Sequence, residues 1–150
     1  MRPSEVRSRI LSDHETIRAM LVAVDRVCDE TLRGESHLAG PMRLEGEALL
    51  ERLLEHMRWE DQYLRPALLA ADSWGLERAE RLDRDHREQR ELLHYALGSV
   101  QDQGHSPMVV ARQLLDLVRL LREDMDEEEE LLVNERVLRD DVVSLDAETG

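Results

Sequence analysis

The stretch LLERLLEHMRWEDQYLRP, residues 49–66, decides the fold. Its leucines recur every three or four positions, which places them along one face of a helix. His56 and Glu60 stand on the same face, one turn apart, in positions that hydrophobic residues would otherwise take. Histidine and carboxylate side chains on inward helix faces are typical metal ligands in the core of a helical bundle. The stretch therefore predicts a helix that brings two such ligands into a buried core.

Three further stretches combine an apolar helix face with ligand-type side chains. The helices are predicted at residues 4–33, 42–70, 75–103 and 107–137. The additional polar residues on their apolar faces are His14, His86, Asp124 and Glu128. When the helices connect up-down-up-down, all these side chains lie at one level, about 15–20 Å from one end at 1.5 Å per residue. The sequence thus predicts an all-α, antiparallel up-down-up-down four-helix bundle.

Polar groups without partners at these positions would threaten the stability of the domain. A buried charge that lacks a partner costs several kcal/mol, whereas a whole domain has about 5–15 kcal/mol of net stability. A pair of divalent or trivalent cations would satisfy the imidazoles and carboxylates together. Ion pairing among protonated histidines and carboxylates is the alternative, and it would leave a marginal, mobile core. The predicted metal ligands are His14, His56, Glu60, His86, Asp124 and Glu128.

An internal repeat relates the second helix to the fourth. A shift of 68 residues lays residues 49–64 over residues 117–132. In this register Glu60 falls on Glu128, and His56 falls on Asp124. The two helices are therefore expected to present equivalent ligand pairs across a pseudo-twofold axis, as in many di-metal bundles.

Local signals set the expected helix boundaries. Ser4 is a candidate cap for the first helix, which Gly34 ends. Ser106 is a candidate cap for the fourth helix, with Pro107 as its first residue. Pro66 is predicted to kink or break the second helix just past the ligand turn, because proline removes a backbone donor.

Composition limits the domain organisation and the class of partner. The length fits one domain, predicted as a bundle over residues 1–138 followed by a polar, flexible tail over residues 139–150. The net charge of −14 and the pI near 4.8 argue against a nucleic-acid partner and against an anionic membrane. With no apolar stretch long enough to span a bilayer and a lone Cys28, the expected location is the cytoplasm. Cys28 itself is expected to be a small buried hydrophobe.

The motifs on the four helices resemble one known family. They are SDHETIR (12–18), LLEHMRWEDQYLRP (53–66), RDHREQRELL (84–93) and LLREDMDEEEELL (120–132). They are similar to those of the hemerythrin-like, histidine-histidine-glutamate domain family. The resemblance implies a non-haem centre of two iron ions joined by a hydroxide or oxide bridge. It makes His14, His56 and His86 terminal iron ligands, and it makes Glu60 and Glu128 candidates to bridge the irons.

Two positions depart from the pattern of that family. Asp124 stands where the family usually has a histidine, and Arg90 stands where some members have a second histidine on the third helix. Hard carboxylate oxygens favour higher-charge metal ions, so Asp124 is expected to stabilise ferric iron. Since oxygen carriers of the family use five histidines, a site with three argues against reversible dioxygen carriage. Arg90 is expected to leave a coordination position open and to reach toward an acidic residue.

The titratable residues outside the ligand set have expected roles of their own. The candidate hydrogen-bond acceptors for the ligand imidazoles are Asp13, Asp85 and Glu127. The histidines that lie off the ligand layer are His37, His94 and His105. In the acid-rich end of the fourth helix, Asp126, Glu129 and Glu130 are expected to form a solvated face.

The expected function is to bind or sense a small molecule such as O2, NO or peroxide, or to sense iron itself. An oxidase or peroxidase with the same di-iron centre is an alternative. A metal-free helical interaction module with a degenerate site is a third hypothesis. The sequence leaves the oligomeric state open.

Overall fold

The computed structural model describes residues 1–141, apart from the side chain of Ser36. Four long helices fill this range, together with a short 3-10 turn at Ser36–Leu38. The helices are α1 (Pro3–Leu32), α2 (Ala39–Ala71), α3 (Gly75–Gln101) and α4 (Pro107–Leu131). Within residues 1–141 there is no strand, and the prediction of an all-α four-helix protein is confirmed. No helix in this range is both long and apolar enough to cross a membrane.

Each helix runs antiparallel to the next, as the contacts between helices show. Between α1 and α2, Arg9 lies over the ring of Trp59, whereas Asp13, further along α1, contacts Arg52, further back along α2. At the other three interfaces as well, residues further along one helix contact residues further back along its partner. The pairs are Arg65–Asp83 and Arg43–Val100 (α2 and α3), Arg81–Glu127 and Gln89–Asp124 (α3 and α4), and Arg18–Asp126 and Asp25–Arg122 (α1 and α4).

The start of α1 differs from the prediction. Arg2 precedes the helix, Pro3 is its first residue, and Glu5 accepts a hydrogen bond from the Arg2 backbone N–H at 2.7 Å. Ser4 lies inside the first turn, where its backbone N–H and its hydroxyl donate to the Asp140 carboxylate at 2.9 and 2.6 Å. Ser4 therefore ties the first helix to the end of the described chain rather than capping it.

Two of the predicted boundaries are confirmed. Gly34 has a φ of +96°, a conformation that suits glycine, and its N–H donates to the Thr31 carbonyl where α1 ends. Ser106 immediately precedes α4, with Pro107 as the first helical residue, although the Ser106 side chain makes no capping hydrogen bond.

The fourth helix ends at Leu131, six residues before the predicted end. Asn134 explains the early stop, because its side-chain amide donates to the Glu130 carbonyl and its side-chain oxygen accepts from the N–H groups of Arg136 and Val137. Such side-chain bonds offer the backbone an alternative to helix. The chain beyond α4 turns back onto the bundle and buries Leu132, Val133, Val137 and Leu138.

Helix α2 continues through Pro66 to Ala71, so the predicted break is absent. Leu64 and Leu68, on either side of the proline, are fully buried. Their packing stabilises the turn that proline weakens. Of the predicted tail, residues 142–150 lie outside the described part of the chain, and its flexibility stays a prediction.

The buried hydrophobic residues form two clusters, one on each side of the ligand layer. The larger cluster includes Ile17, Leu50, Met57, Leu93 and Leu121. The smaller cluster consists of Val6, Ile10, Leu64, Leu68, Ala71, Leu82, Leu132, Val133, Val137 and Leu138. On α1, α2 and α3 the predicted ligands lie between residues of the two clusters. On α4 they lie between Leu121 and Leu132, which follows the helix, so a polar layer crosses an otherwise apolar core.

Two glycines of α3 provide a matched test of this packing. A Cβ at Gly75 would lie 2.3 Å from the Leu68 carbonyl oxygen, whereas a Cβ at Gly98 would meet nothing within 4 Å. We expect Gly75→Ala to lower the free energy of unfolding by about 1–3 kcal/mol. Gly98→Ala, in the same helix, should raise it by about 0.5–1 kcal/mol. Urea unfolding of both variants measures the difference, and equal effects would contradict the described close approach of α3 to α2.

Candidate metal centre

Four of the predicted ligands meet in the polar layer, in a group that we call the cage: His14, His56, Glu60 and Glu128. One ligand atom from each lies within 4.8 Å of the ligand atoms of the other three. His14, His56 and Glu60 are at most 4% exposed, and the Glu128 side chain is 14% exposed. Helices α1, α2 and α4 thus place two imidazoles and two carboxylates around one point, as the spacing on the apolar faces predicts.

The polar atoms of the cage lack the partners that buried atoms normally have. His56 Nε2, Glu60 Oε2 and Glu128 Oε1 are buried without a hydrogen bond. Leaving such an atom unsatisfied costs about 1–3 kcal/mol. The cage residues line a cavity of about 20 Å³, enough for one atom of the size of water. Imidazole nitrogens and carboxylate oxygens around a cavity of this size fit a transition-metal ion.

Glu60 connects the cage to His86 on α3. Its Oε1 lies 3.3 Å from His56 Nε2 and 3.1 Å from His86 Nε2. His86 is 1% exposed and therefore belongs to the same buried layer. One carboxylate oxygen faces two imidazoles from different helices, which is the position of a group that two metal ions could share.

Asp124 lies at the edge of the layer. It lines the same cavity as the cage and accepts a hydrogen bond from Gln89 Nε2 at 3.0 Å. The six predicted residues are therefore neighbours, with four in the cage and with His86 and Asp124 on its α3 side. That all six bind metal stays a prediction.

Each imidazole of the layer contacts a carboxylate through its Nδ1 atom. The Nδ1 atoms of His56, His14 and His86 contact Asp13 (3.2 Å), Glu129 (3.2 Å) and Asp61 (2.7 Å) respectively. Because a carboxylate accepts, Nδ1 is the donor in each of these contacts, and Nε2 is the ring nitrogen left for a metal ion. This arrangement orients histidine for metal binding and raises its basicity.

Of these acceptors, only Asp13 is one of the candidates predicted from the sequence. Asp85 and Glu127, the other two candidates, contact Arg81 instead. Glu129, expected on a solvated face, bonds His14. Asp61 stands next to Glu60 in the motif, and that adjacency to a ligand is the signal that could have identified it.

Arginine side chains form ion pairs with these three carboxylates. Arg18 contacts Glu129, Arg90 contacts Asp61, and both Arg9 and Arg52 contact Asp13. The expectation that Arg90 reaches an acidic residue is confirmed. These pairs fix the carboxylates and, through them, the imidazole planes.

The pKa values of the two cage carboxylates are shifted in opposite directions. Burial, together with the nearby Glu128 charge, raises the pKa of Glu60 well above its ordinary value. Burial also acts to raise the pKa of Glu128, but its contacts with Glu60 and His14 outweigh this, and its pKa is lowered. Burial lowers the pKa of His56, whereas Glu128 and Glu129 outweigh the burial of His14 and raise its pKa. A cation in the cage would favour the ionised form of both carboxylates.

The remaining histidines lie away from the layer. His37 and His94 are exposed, and His105 lies 3.4 Å from Asp102 near the start of α4. Cys28 is fully buried, and burial raises the pKa of its thiol to about 12. As expected, this cysteine packs as a small hydrophobic residue.

Replacing Asp13, which accepts a hydrogen bond from His56 Nδ1, should weaken metal binding. We expect Asp13→Ala to lower the affinity for Co²⁺ or Fe²⁺ about 10–100-fold, because the ring loses its orientation and part of its basicity. Competition with a chromophoric chelator measures the affinity. Glu127→Ala is the control, since Glu127 contacts Arg81 rather than an imidazole. Equal affinity of the two variants would contradict the role given to Asp13.

Fold and site together define a class, that of a four-helix bundle with a buried layer of histidines and carboxylates that could hold a metal ion. The chain belongs to the hemerythrin family, since residues 6–135 match the family model described as the hemerythrin HHE cation binding domain. The resemblance stated from the motifs is therefore confirmed. No curated protein and no solved structure gave a match.

Proposed function

We propose that the protein binds two iron ions in this layer and uses them to bind or sense a small molecule such as O2, NO or peroxide. The observation that carries the proposal is the cage itself, with three buried ligand atoms that have no hydrogen-bond partner. Membership of a cation-binding family supports it independently.

The first iron would be held by the four residues of the cage. The second would be held by Glu60, His86 and Asp124 on the α3 side. Glu60 faces imidazoles of both groups, which supports a bridging role for it. Glu128 is the second candidate bridge, since it lies in the cage beside Glu60.

The protein around the irons would restrict what reaches them. Leu53, Met57, Leu121 and Met125 line the cavity beside the ligands, so one wall is apolar. A cavity of about 20 Å³ has room for about one atom of the size of water, so an organic substrate would require rearrangement. Bound iron would supply an open coordination position and a redox couple, and the carboxylate-rich ligand set favours the ferric state.

Metal loading followed by spectroscopy tests the proposal. The chain is loaded anaerobically with Fe²⁺, desalted and analysed for iron, and its absorption is then recorded in air with and without azide. We expect about two irons per chain and a ligand-to-metal charge-transfer band that azide shifts. Glu60→Gln, which alters the carboxylate shared by both proposed sites, is the control and should show neither.

The other outcomes distinguish the remaining hypotheses. Less than about half an iron per chain, with no charge-transfer band, would leave the metal-free interaction module. Steady consumption of peroxide that disappears in His56→Ala would instead make the protein an enzyme.

A further inference from the structure

A second cavity lies between α3 and α4, directly outside the metal layer. It measures about 150 Å³, and we call it the α3–α4 crevice. Its lining residues are Asp85, Glu88, Gln89, Leu92, Leu120 and Asp124. Two of them, Gln89 and Asp124, also line the inner cavity of the cage. The 3.0 Å hydrogen bond from the Gln89 amide to the Asp124 carboxylate therefore stands between the outer crevice and the ligands.

The lining of the crevice suits a cation. It contains three carboxylates, an amide and two leucines, and none of its residues is basic. The nearby Arg81 is engaged by Glu127 and lies 3.9 Å from Asp85. A cleft lined by one sign of charge raises the local concentration of the opposite ion and its rate of association.

The opposite side of the layer lacks the acidic character of the crevice. There a cavity of about 210 Å³ lies between α1 and α2 and also reaches His56. Its charged lining consists of three arginines, Arg9, Arg52 and Arg58, and two carboxylates, Asp13 and Glu55. Because the arginines outnumber the carboxylates there, whereas the α3–α4 crevice has carboxylates and no basic residue, the crevice is the more favourable of these two approaches for a metal ion.

The inner cavity, which shares Gln89 and Asp124 with the crevice, contains a ligand atom without a partner. Glu60 lines the inner cavity, its side chain is 2% exposed, and its Oε2 has no hydrogen-bond partner. An ion that passes Gln89 and Asp124 therefore meets a buried carboxylate oxygen that is free to bind it.

We propose that the α3–α4 crevice is the uptake route for the divalent metal ion and that the Gln89–Asp124 pair is its gate. Asp85 and Glu88 attract the hydrated cation. The Gln89 side chain then turns away from Asp124, and the freed Asp124 carboxylate passes the ion on to Glu60 as its water is shed. The inference rests on the proposed metal binding and adds the path by which the metal arrives.

Stopped-flow mixing of the metal-free protein with Co²⁺, followed by d–d absorption, tests the route. The variant Asp85→Asn/Glu88→Gln removes two charges from the crevice without changing a proposed ligand. We expect it to take up Co²⁺ about tenfold more slowly than the unmodified protein. The rate should also depend less on salt between about 20 and 500 mM NaCl. The final amount of bound Co²⁺ should not change.

The control is Glu15→Gln/Glu51→Gln, which makes the same change in net charge at exposed positions on α1 and α2. Equal slowing by both variants, or an unchanged rate in the crevice variant, would overturn the proposed route. The gate is tested by Gln89→Ala, which should release Co²⁺ to excess EDTA several-fold faster, and an unchanged release rate would overturn it. If the unmodified chain binds no Co²⁺ and no Fe²⁺, the proposed function fails instead, and the two failures are thus distinguishable.

Discussion

Removal of the metal is expected to lower the melting temperature of the protein by about 10 °C. A ligand present at a thousand times its dissociation constant stabilises the folded state by about 4 kcal/mol. For a chain of this size, each kcal/mol corresponds to about 2–4 °C in melting temperature. The physical cause is the set of buried cage atoms, His56 Nε2, Glu60 Oε2 and Glu128 Oε1, which have no hydrogen-bond partner without an ion.

Differential scanning calorimetry of Fe²⁺-loaded and chelator-stripped protein under anaerobic conditions measures this shift. The control is Glu60→Gln, which alters the carboxylate shared by both proposed sites and should melt at the same temperature with and without iron. If metal analysis shows bound iron but the loaded and stripped proteins melt together, the iron lies somewhere other than the cage.

Substitution of Glu60 should remove both metal ions, whereas substitution of Asp124 should remove one. Glu60 Oε1 faces both His56 and His86, so both proposed sites depend on this carboxylate. Asp124 lies on the α3 side alone, bonded to Gln89. We expect iron per chain to fall from about two to below about 0.2 in Glu60→Gln and to about one in Asp124→Asn. Both changes keep the side-chain shape and remove the charge.

Iron analysis after anaerobic loading and desalting gives the stoichiometry of each variant. Glu123→Gln provides the matched control, because Glu123 is the exposed neighbour of Asp124 on the same helix. It should retain about two irons. Loss of a single iron from Glu60→Gln would show that Glu60 serves one site and does not bridge.

The fold and the cage could be predicted because burial and helix periodicity constrain both strongly. A histidine or an acid that replaces a leucine every third or fourth position has one direction to point, which is inward. His14, His56, Glu60 and Glu128 follow this rule, and the structure brings their ligand atoms together.

The surrounding carboxylates were harder to predict, because their roles depend on contacts between helices. Asp61 contacts His86 across the α2–α3 interface, and Glu129 contacts His14 across the α1–α4 interface. Neither residue breaks an apolar pattern on its own helix. The periodicity of a helix places such residues on its solvent-facing side. It does not indicate which imidazole of a neighbouring helix they contact.

The differences at the helix ends have a similar origin. Asn134 ends α4 through its own side-chain hydrogen bonds, and Ser4 bonds Asp140 at the opposite end of the sequence. Pro66 is tolerated because leucines on both sides of it are buried. In each case packing or a specific side-chain bond outweighs the local preference of one residue.

Because the ligand layer divides the apolar core in two, it affects how cooperatively the protein unfolds. Without metal, the two hydrophobic clusters meet across imidazoles and acids that attract one another weakly, so each cluster can act as a separate cooperative unit. The smaller one contains both the start of α1 and the segment after α4, and its amides should exchange with deuterium first. An ion bound by α1, α2 and α4 joins the two units, and unfolding then becomes one concerted event.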